Sequence, residues 1–458
     1  MPVNTTHPDF DKNKDRWSLV RSVINNDAKQ FIREVDPEDD FRCMQYREGA
    51  ILTNFTSLTR DGLSGLVFRN PPSLKIPSSL TYVQDDATGD GRNLNQLSKQ
   101  VLDEVMTTGR VGVLIDYPRV ESGLSMRDTV DLAARLIMYR SENIINWSVK
   151  RQNGTSHIDF VVLYEPRLEL QEDGFDWDME EYYRVLRLDQ EGYYFQAIYG
   201  PDLELEATMY PTDKDGNKLR EIPFVFIGSE DNNEDVDKAP LYDIASLNIG
   251  HYRNSADYEE SVFVVGQPTV FVSGSWGLEE FKEALPQGIK FGSRAGYFLG
   301  ENGNAKLVQA SPNQLAEVAM KQKMQQAAQI GARLISEPGG RETAEAARMR
   351  YSSQNSVLHT VVMNVNHGID NCLRLATIFM GGNIDEIEFI LNTKFYEETA
   401  DPNVIAQTIL LYDRGLMSKQ EVREDLKQKN LVDRNKTDEE YQAEVEDVSP
   451  FGPDTAEE

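Results

Sequence analysis

The chain has 458 residues, 40% of them hydrophobic and 27% charged, a globular balance that excludes wholesale disorder and suits about three structural units. Its 47 basic against 76 acidic residues leave a formal charge of -29. That excludes tight wrapping of nucleic acid, which needs clustered Lys and Arg on the phosphates, but not a loose contact in which like charge prevents sticking.

Residues 11–35 predict a helix with Trp17, Val20, Val23, Ile24, Phe31 and Ile32 as its apolar positions. A second helical run leads from Phe41 through Met44, Ile51, Phe55 and Leu58 to Leu63 and Leu66, and Pro71-Pro72 closes the segment. Leu97, Val101, Val105 and Met106 repeat at helical spacing over residues 94–108. The run Val111-Gly-Val-Leu-Ile-Asp-Tyr117, closed by Pro118, reads as a buried strand. A further helix is expected over residues 126–140. Strands follow at 144–149, 158–163, 182–188, 193–199 and 222–227, with Asn153-Gly154 and Glu191-Gly192 as hairpin turns. This half reads as α+β.

The acidic stretch 230–237 lacks apolar periodicity and is expected to be a solvated loop. Pro240 opens a helix that runs to about Val262 with Leu241, Ile244, Leu247, Ile249 and Tyr252. A compact insert, about 264–312, combines a strand at 268–272, a short helix near 278–285 and turn residues 286–288. The chain returns as a helix over 313–335 with Leu315, Val318, Met320, Met324, Ala327, Ala328 and Leu334. After the break Ser336-Glu-Pro-Gly-Gly-Arg-Glu-Thr343, Thr343 is a plausible cap for a helix of more than thirty residues. Its broad face carries Tyr351, Leu358, Val361, Val362, Val365, Ile369, Cys372, Leu373 and Ala376, and a helix of that length needs neighbours. A strand at 384–390 and helices at 402–414 and 418–429 follow, joined at Gly415, with Ser418 and Glu421 forming a capping box. From Lys436 the chain is Asp/Glu-rich and is expected to be a mobile tail.

No Gly-Lys dipeptide occurs, which excludes an ordinary P-loop NTPase. His7, His157, His251, His359 and His367 form no His-Glu-x-x-His pair, and Cys43 and Cys372 no Cys-x-x-Cys, so neither a metal nor a cofactor is expected. His359 and His367 lie eight residues apart, the wrong pitch for adjacent ligands. The two cysteines point to core packing in a reducing compartment. Asp86-Ala-Thr-Gly-Asp-Gly91 starts like a calcium loop, but Leu97 stands where the bidentate carboxylate belongs; it reads as a turn, as does Asp213-Lys-Asp-Gly216. No apolar stretch approaches the ~18–20 residues that cross a bilayer, and the first residues hold no apolar signal core, so neither membrane insertion nor secretion is expected. With 76 carboxylates some acid–base pair can always be named, so none carries weight without geometry.

The order of helix, β-containing insert, returning helix, Gly-rich break, very long helix and terminal helical pair, preceded by an α+β unit, resembles the portal (head-to-tail connector) proteins of tailed bacteriophages. Specifically, it resembles the portal-like group long catalogued as a domain of unknown function. Local strings carry the resemblance too: Tyr46-Arg-Glu-Gly-Ala50, Leu63-Ser-Gly-Leu-Val-Phe-Arg69 with Pro71-Pro72, and Gly112-Val-Leu-Ile-Asp-Tyr117. Further strings are Tyr139-Arg-Ser-Glu-Asn-Ile-Ile-Asn-Trp147, and Pro240-Leu-Tyr-Asp-Ile-Ala-Ser-Leu-Asn-Ile-Gly-His-Tyr-Arg253 followed by Ser255-Ala-Asp257. They cover about residues 40–380. No string is diagnostic alone; their order and spacing together are fairly specific.

The resemblance implies a predominantly helical α+β subunit: an α+β wing (1–237), stem helices (238–262 and 313–335) around a clip (263–312), and a tunnel loop (336–343). Beyond these it implies a long helix returning to the wing (344–401), crown helices (402–435) and an acidic tail (436–458). It also implies a homo-oligomeric ring, usually a dodecamer, at one capsid vertex of a virion assembled in the bacterial cytoplasm. Double-stranded DNA would pass through it during packaging, retention and ejection. The implied partners are the terminase large subunit, a head-completion or tail adaptor protein, and the major capsid and scaffolding proteins. Glu337, Gly339, Gly340, Arg341 and Glu342 would form the tunnel loop, with Lys321 and Lys323 candidates to face the channel. Trp276, Glu279, Glu280 and Phe281 would dock partners, and no catalytic residue is implied. An acidic hydrolase with paired carboxylates and a helical adaptor without a ring remain as alternatives.

Overall fold

The computed structural model describes residues 2–117, 132–152, 154–171, 174–266, 269–274, 277–284, 286, 302–308, 314–331, 344–393, 395, 402–428 and 432. Two units divide the chain, Met1–Thr393 and Lys394–Glu458.

In the first unit, α1 (Pro8–Ile24) begins where the His7 ring accepts from the Asp9 amide, and it buries Trp17, Val20, Val23 and Ile24. It ends earlier than its apolar pattern suggests, because Asn26 turns into the left-handed region at φ 58 and only a 3-10 turn follows at Lys29–Phe31. The helical run expected from Phe41 is two helices, α2 (Asp40–Gly49) and α3 (Phe55–Val67). Asn54 divides them: its Oδ1 accepts from the Ser57 amide to cap α3, and its Nδ2 donates to the Val23 carbonyl at 2.6 Å.

After β1 (Ser73–Lys75), α4 (Leu94–Thr108) starts with a reciprocal Asn93–Gln96 capping box and ends at Gly109, φ 85. It feeds β2 (Arg110–Asp116), whose residues are buried up to Ile115. Where the spacing predicts a helix over 126–140, residues 135–140 instead form β3 (Arg135–Arg140), paired antiparallel to β2 from Val111↔Arg140 to Asp116↔Arg135. Residues 118–131 lie outside the described residues. The strands β4 (Ile144–Gln152), β5 (Thr155–Leu170), β6 (Trp177–Leu188), β7 (Tyr194–Tyr199) and β8 (Leu205–Met209) form an antiparallel meander in chain order. Gly154 and Gly192, both at positive φ, sit in two of its turns. Next, β9 (Phe224–Gly228) joins β2 on its other edge, giving the order β3-β2-β9.

The core lies between these two sheets: Leu114, Tyr139, Ile144, Trp147, Leu163, Leu186, Tyr194, Phe224 and Phe226 form one buried cluster. Each such side chain contributes about 1.5–3 kcal/mol relative to exposure. Next, α5 (Tyr242–Gly266) packs on α1, α2 and α3, and after it come the pair β10 (Thr269–Ser273) and β11 (Asn304–Val308), with α6 (Leu278–Ala284) between them in sequence. The return helix α7 (Leu315–Ile330) leads on to α8 (Ala344–Met380). Leu358, Val361, Val362, Val365, Ile369, Cys372, Leu373 and Ala376 of α8 are all buried, as their spacing requires. Gly368 meets Ile227 of β9 so closely that an added Cβ would lie 2.4 Å from it. After a 3-10 turn at Ile384–Glu386, β12 (Glu388–Ile390) pairs with β1. Among the described residues every strand pairing is antiparallel; this is an α+β protein.

The acidic stretch 230–237 is a loop, as expected, with Glu230, Asp231, Asn233 and Asp235 exposed, and hydrogen bonds tie it to the scaffold. Asp237 Oδ2 accepts from the amides of Glu230 and Asp231 at 2.7 and 3.3 Å, Asn232 donates to the Asn364 carbonyl, and Glu234 offers its carbonyl to Arg110. Arg110 itself is fully buried, its guanidinium 4.0 Å from the centre of Trp147 and 5.0 Å from that of Phe226. Burial pushes it down to about 9, although Asp237, Asp9 and Asp235 pull the other way.

In the second unit, α9 (Pro402–Asp413) and α10 (Lys419–Gln428) are joined through Gly415 at φ 71. The Ser418–Glu421 capping box forms in both directions, at 2.7 and 3.2 Å. Ile409, Leu410, Leu411, Tyr412 and Leu416 are exposed. Residues 436–458, expected as a tail, lie outside the described residues.

Candidate functional site

The helix pair α5 and α7 corresponds to the two expected stem helices. Polar contacts clamp the earlier turns of α5 onto the N-terminal helices. Asn248 Oδ1 accepts from the Thr56 amide and hydroxyl, and its Nδ2 donates to the Thr53 carbonyl. Ser255 Oγ accepts from the Ile51 amide, Tyr46 donates to Asp257 at 2.6 Å, and Arg253 donates to the Phe31 carbonyl. Burial and Asp257 together push the Tyr46 hydroxyl well above the ordinary tyrosine range. Each buried bond of this kind contributes about 0.5–1.5 kcal/mol, so this end of α5 is fixed. After Glu260, Val262 and Phe263 are exposed.

Against α5 lies α7, with Ala327 buried at the crossing and Lys323 laid over Gly250, where an added Cβ would stand 2.8 Å from Lys323 Cε. The Lys323 ammonium donates to Asn254 at 2.6 Å and is half-buried; Lys321 is exposed and pairs with Glu317 at 2.5 Å one turn away. Of the two channel candidates, Lys323 is therefore turned onto its partner helix while Lys321 stands on the surface. Between the helices is a cavity of about 160 Å³, lined by His251, Tyr258, Glu317, Met320, Lys321 and Met324. His251 is buried edge-on to Phe55, 5.8 Å between ring centres, and its Nδ1 has no hydrogen-bond partner. Burial and the nearby Lys323 push His251 below its ordinary value.

At the expected clip, the β10–β11 ribbon leaves Phe271, Leu307 and Val308 exposed, as a two-stranded sheet must. Glu279 and Glu280 are exposed on α6, where Glu280 accepts from the Gly277 amide, and Phe281 is half-buried. Trp276 lies outside the described residues. So do the tunnel-loop candidates Glu337, Gly339, Gly340, Arg341 and Glu342, and Thr343 with them.

Two half-buried carboxylates, Glu165 and Asp116, are tied into the scaffold. Glu165 accepts from Arg184, Tyr139 and Arg167 at 2.6, 2.5 and 2.9 Å, and these partners hold it below the usual glutamate range despite burial. Asp116 accepts from Gln196 at 2.9 Å and faces the same Arg184 at 3.5 Å. Among the described residues no group of three His, Cys, Asp or Glu side chains is placed to hold a metal, and no helix is long and apolar enough to cross a membrane.

Residues 240–380 match the family model described as "Domain of unknown function (DUF4055)". The match spans α5 through α8. No curated protein matches the chain. Among solved structures, the chain is similar to a chain in the neck of an empty GTA particle computed with C6 symmetry, at 12% identity and a TM-score of 0.44, covering 85% of this chain and 93% of that one. A chain in the virion of a native gene transfer agent particle shows 15% identity and a TM-score of 0.42, over 84% and 92% of the two chains. For the neck of the native particle computed with C12 symmetry the values are 14% and 0.42, over 86% and 95%.

Proposed function

We propose that this chain is the subunit of a portal ring, a head-to-tail connector through which double-stranded DNA enters and leaves a phage-type capsid. The observation that carries the reading is the α5–α7 pair. It is anchored at one end by Asn248 and Ser255, yet it exposes Val262, Phe263, Val318, Met324 and Ile330 along its length. Apolar residues spread along two packed helices call for neighbours on their flanks. Copies set side by side in a closed ring supply them through a heterologous interface.

Charge suits the same role. With a formal -29 per copy the channel wall would repel phosphate, so DNA would move without being held. The exposed ribbon β10–β11 and the α6 carboxylates Glu279 and Glu280 would dock the terminase during packaging and an adaptor protein afterwards. In this reading Lys321, exposed and paired only with Glu317 on its own helix, would touch a phosphate in passing, whereas Lys323 would first have to leave Asn254. The role would be structural: the carboxylates Asp116 and Glu165 are both engaged by Arg184, which favours a scaffold role for that pair over acid–base work.

Negative-stain electron microscopy of the purified protein, with its mass measured in solution, tests the reading. Rings of about a dozen copies around an open channel are expected. They should form more readily as salt screens repulsion between acidic copies. A protein that stays monomeric at high concentration and across salt would overturn it.

A further inference from the structure

The central hairpin of the meander outruns its neighbours. On one edge β5 is paired with β4 only as far as Leu163↔Ile144, and on the other β6 is paired with β7 only from Tyr183↔Tyr199. Beyond these points β5 and β6 continue alone, from Glu165↔Tyr182 to Leu170↔Trp177. This leaves a two-stranded arm about 20 Å long at ~3.4 Å per residue, with both backbone edges open.

Its two faces differ. One carries Glu165, Arg167, Glu169, Asp178 and Tyr182 in internal contacts: Arg167 lies 4.1 Å over the Tyr182 ring and donates to Glu165, and Tyr182 donates to Glu169 at 2.9 Å. Opposite, Leu168 stands across from Met179 and Leu170 across from Trp177, each 50–60% exposed. Among the described residues the one charge on this face, Glu181, accepts from the hydroxyls of Tyr164 and Tyr183 at the base. From there the apolar strip continues into the cluster of Ile145, Val162 and Tyr183. A lone two-stranded ribbon is marginal in water, and open edges beside an apolar face are a liability unless covered.

We propose that this arm lies on the neighbouring copy of the same chain and forms part of the ring interface, so the inference rests on the ring reading above. Two arguments select a second copy as the occupant. Copies that each carry -29 repel, so the surfaces that join them must be poor in charge; the outer half of this face, Leu168, Leu170, Trp177 and Met179, has none. The four side chains offer on the order of 500 Å² of exposed surface, taking ~150–250 Å² for a fully open large side chain. A free-standing complex needs about 800 Å² per partner. The arm is thus too small to hold a partner alone and fits one contact within a larger interface.

The test is photocrosslinking of the full chain with p-benzoylphenylalanine placed at Trp177 and, in a separate preparation, at Phe263. The arm assignment expects rings in both preparations and a chain-to-chain crosslink from position 177, mapped by mass spectrometry. Alongside it, the double variant Leu168→Asp with Met179→Asp should raise the concentration needed for half-assembly about tenfold or more, with the unassembled chain melting as before. If rings form and position 263 crosslinks between copies while position 177 does not, the arm faces elsewhere and the assignment fails with the ring intact. If no ring forms at all, the ring reading fails and takes the arm assignment with it.

Discussion

Lys323 of α7 crosses α5 at Gly250 and ends on Asn254, 2.6 Å from its Oδ1. The glycine has no side chain to hold the lysine off, so a long cationic chain becomes a bolt between two helices. Replacing Lys323 by Met keeps most of the apolar stem and removes only the polar end. The expected loss is about 1 kcal/mol, the contribution of one hydrogen bond, read as a shift of the urea midpoint at unchanged slope. Lys321→Met should change that midpoint by less than ~0.5 kcal/mol, since its partner Glu317 sits on an exposed surface. Equal effects from the two variants would contradict the bolt.

His251 gives the same helix pair a pH dependence. Its folded value lies below 6.5 because burial and Lys323 both disfavour the cation, while the unfolded chain has neither. The folded state therefore binds fewer protons than the unfolded one as pH falls through 6.5. The stability that neutral His251 allows is present above 6.5 and lost progressively below it. His251→Phe keeps the edge contact with Phe55 and removes the unpaired Nδ1. Denaturant unfolding at pH 7.5 and 5 should show a smaller drop for the variant than for the parent. Lys323→Met should also shrink the drop, since it removes one of the two causes.

Much of this can be read from the residues, and the failures have physical reasons. Leu97, Val101 and Val105 are buried on α4, and the 111–117 run is a strand, because local periodicity and burial agree there. At 126–140 they do not. Leu136, Ile137 and Met138 also fit a helix, and only the pairing to β2, made across a long stretch of chain, decides for a strand. The expected strands stop short of the outer half of the arm, although Leu168 and Leu170 on one side of Gly174, and Trp177 and Met179 on the other, alternate as a hairpin should. At the stem, the apolar positions of α5 and α7 are legible, but nothing in composition tells Lys321 from Lys323. That difference depends on Gly250 lying opposite. Arg110 leaves no signal beyond a cation at the head of an apolar run.

Arg110 yields a prediction that separates shape from charge. Its planar guanidinium fills the gap between Trp147 and Phe226 and reaches the Glu234 carbonyl at 2.9 Å, while Nε and Nη2 have no partner. A lysine would bring the same charge without the plane, leaving a compact cation to be desolvated between two rings. Arg110→Lys should therefore destabilise by about 2 kcal/mol or more, as a buried charge without adequate partners does. Arg110→Met, which fills the space without charge, should cost less. The ranking, measured by chemical denaturation, is the point: a lysine variant as stable as the parent would show that charge alone is what this site requires.

The same corner of the fold depends on Gly109. It ends α4 at φ 85, a conformation that side chains rarely adopt, and it faces backbone: an added Cβ would stand 2.4 Å from the Asp237 carbonyl oxygen and 3.0 Å from the Ala239 amide nitrogen. Neither atom is the end of a flexible side chain. The Gly109 carbonyl accepts from the Ser229 amide at 2.9 Å, so displacing the strand would also disturb the start of the 230–237 loop. Gly109→Ala adds left-handed strain of about 1–2 kcal/mol to an overpacking cost of about 1–3 kcal/mol, for a total near 3 kcal/mol. Gly154→Ala is the control, with φ 86 but nothing within 4 Å of the added carbon, so it should show the strain alone. Thermal unfolding of the two variants should place Gly109→Ala well below Gly154→Ala; equal losses would mean that the loop yields freely and does not hold the end of α4.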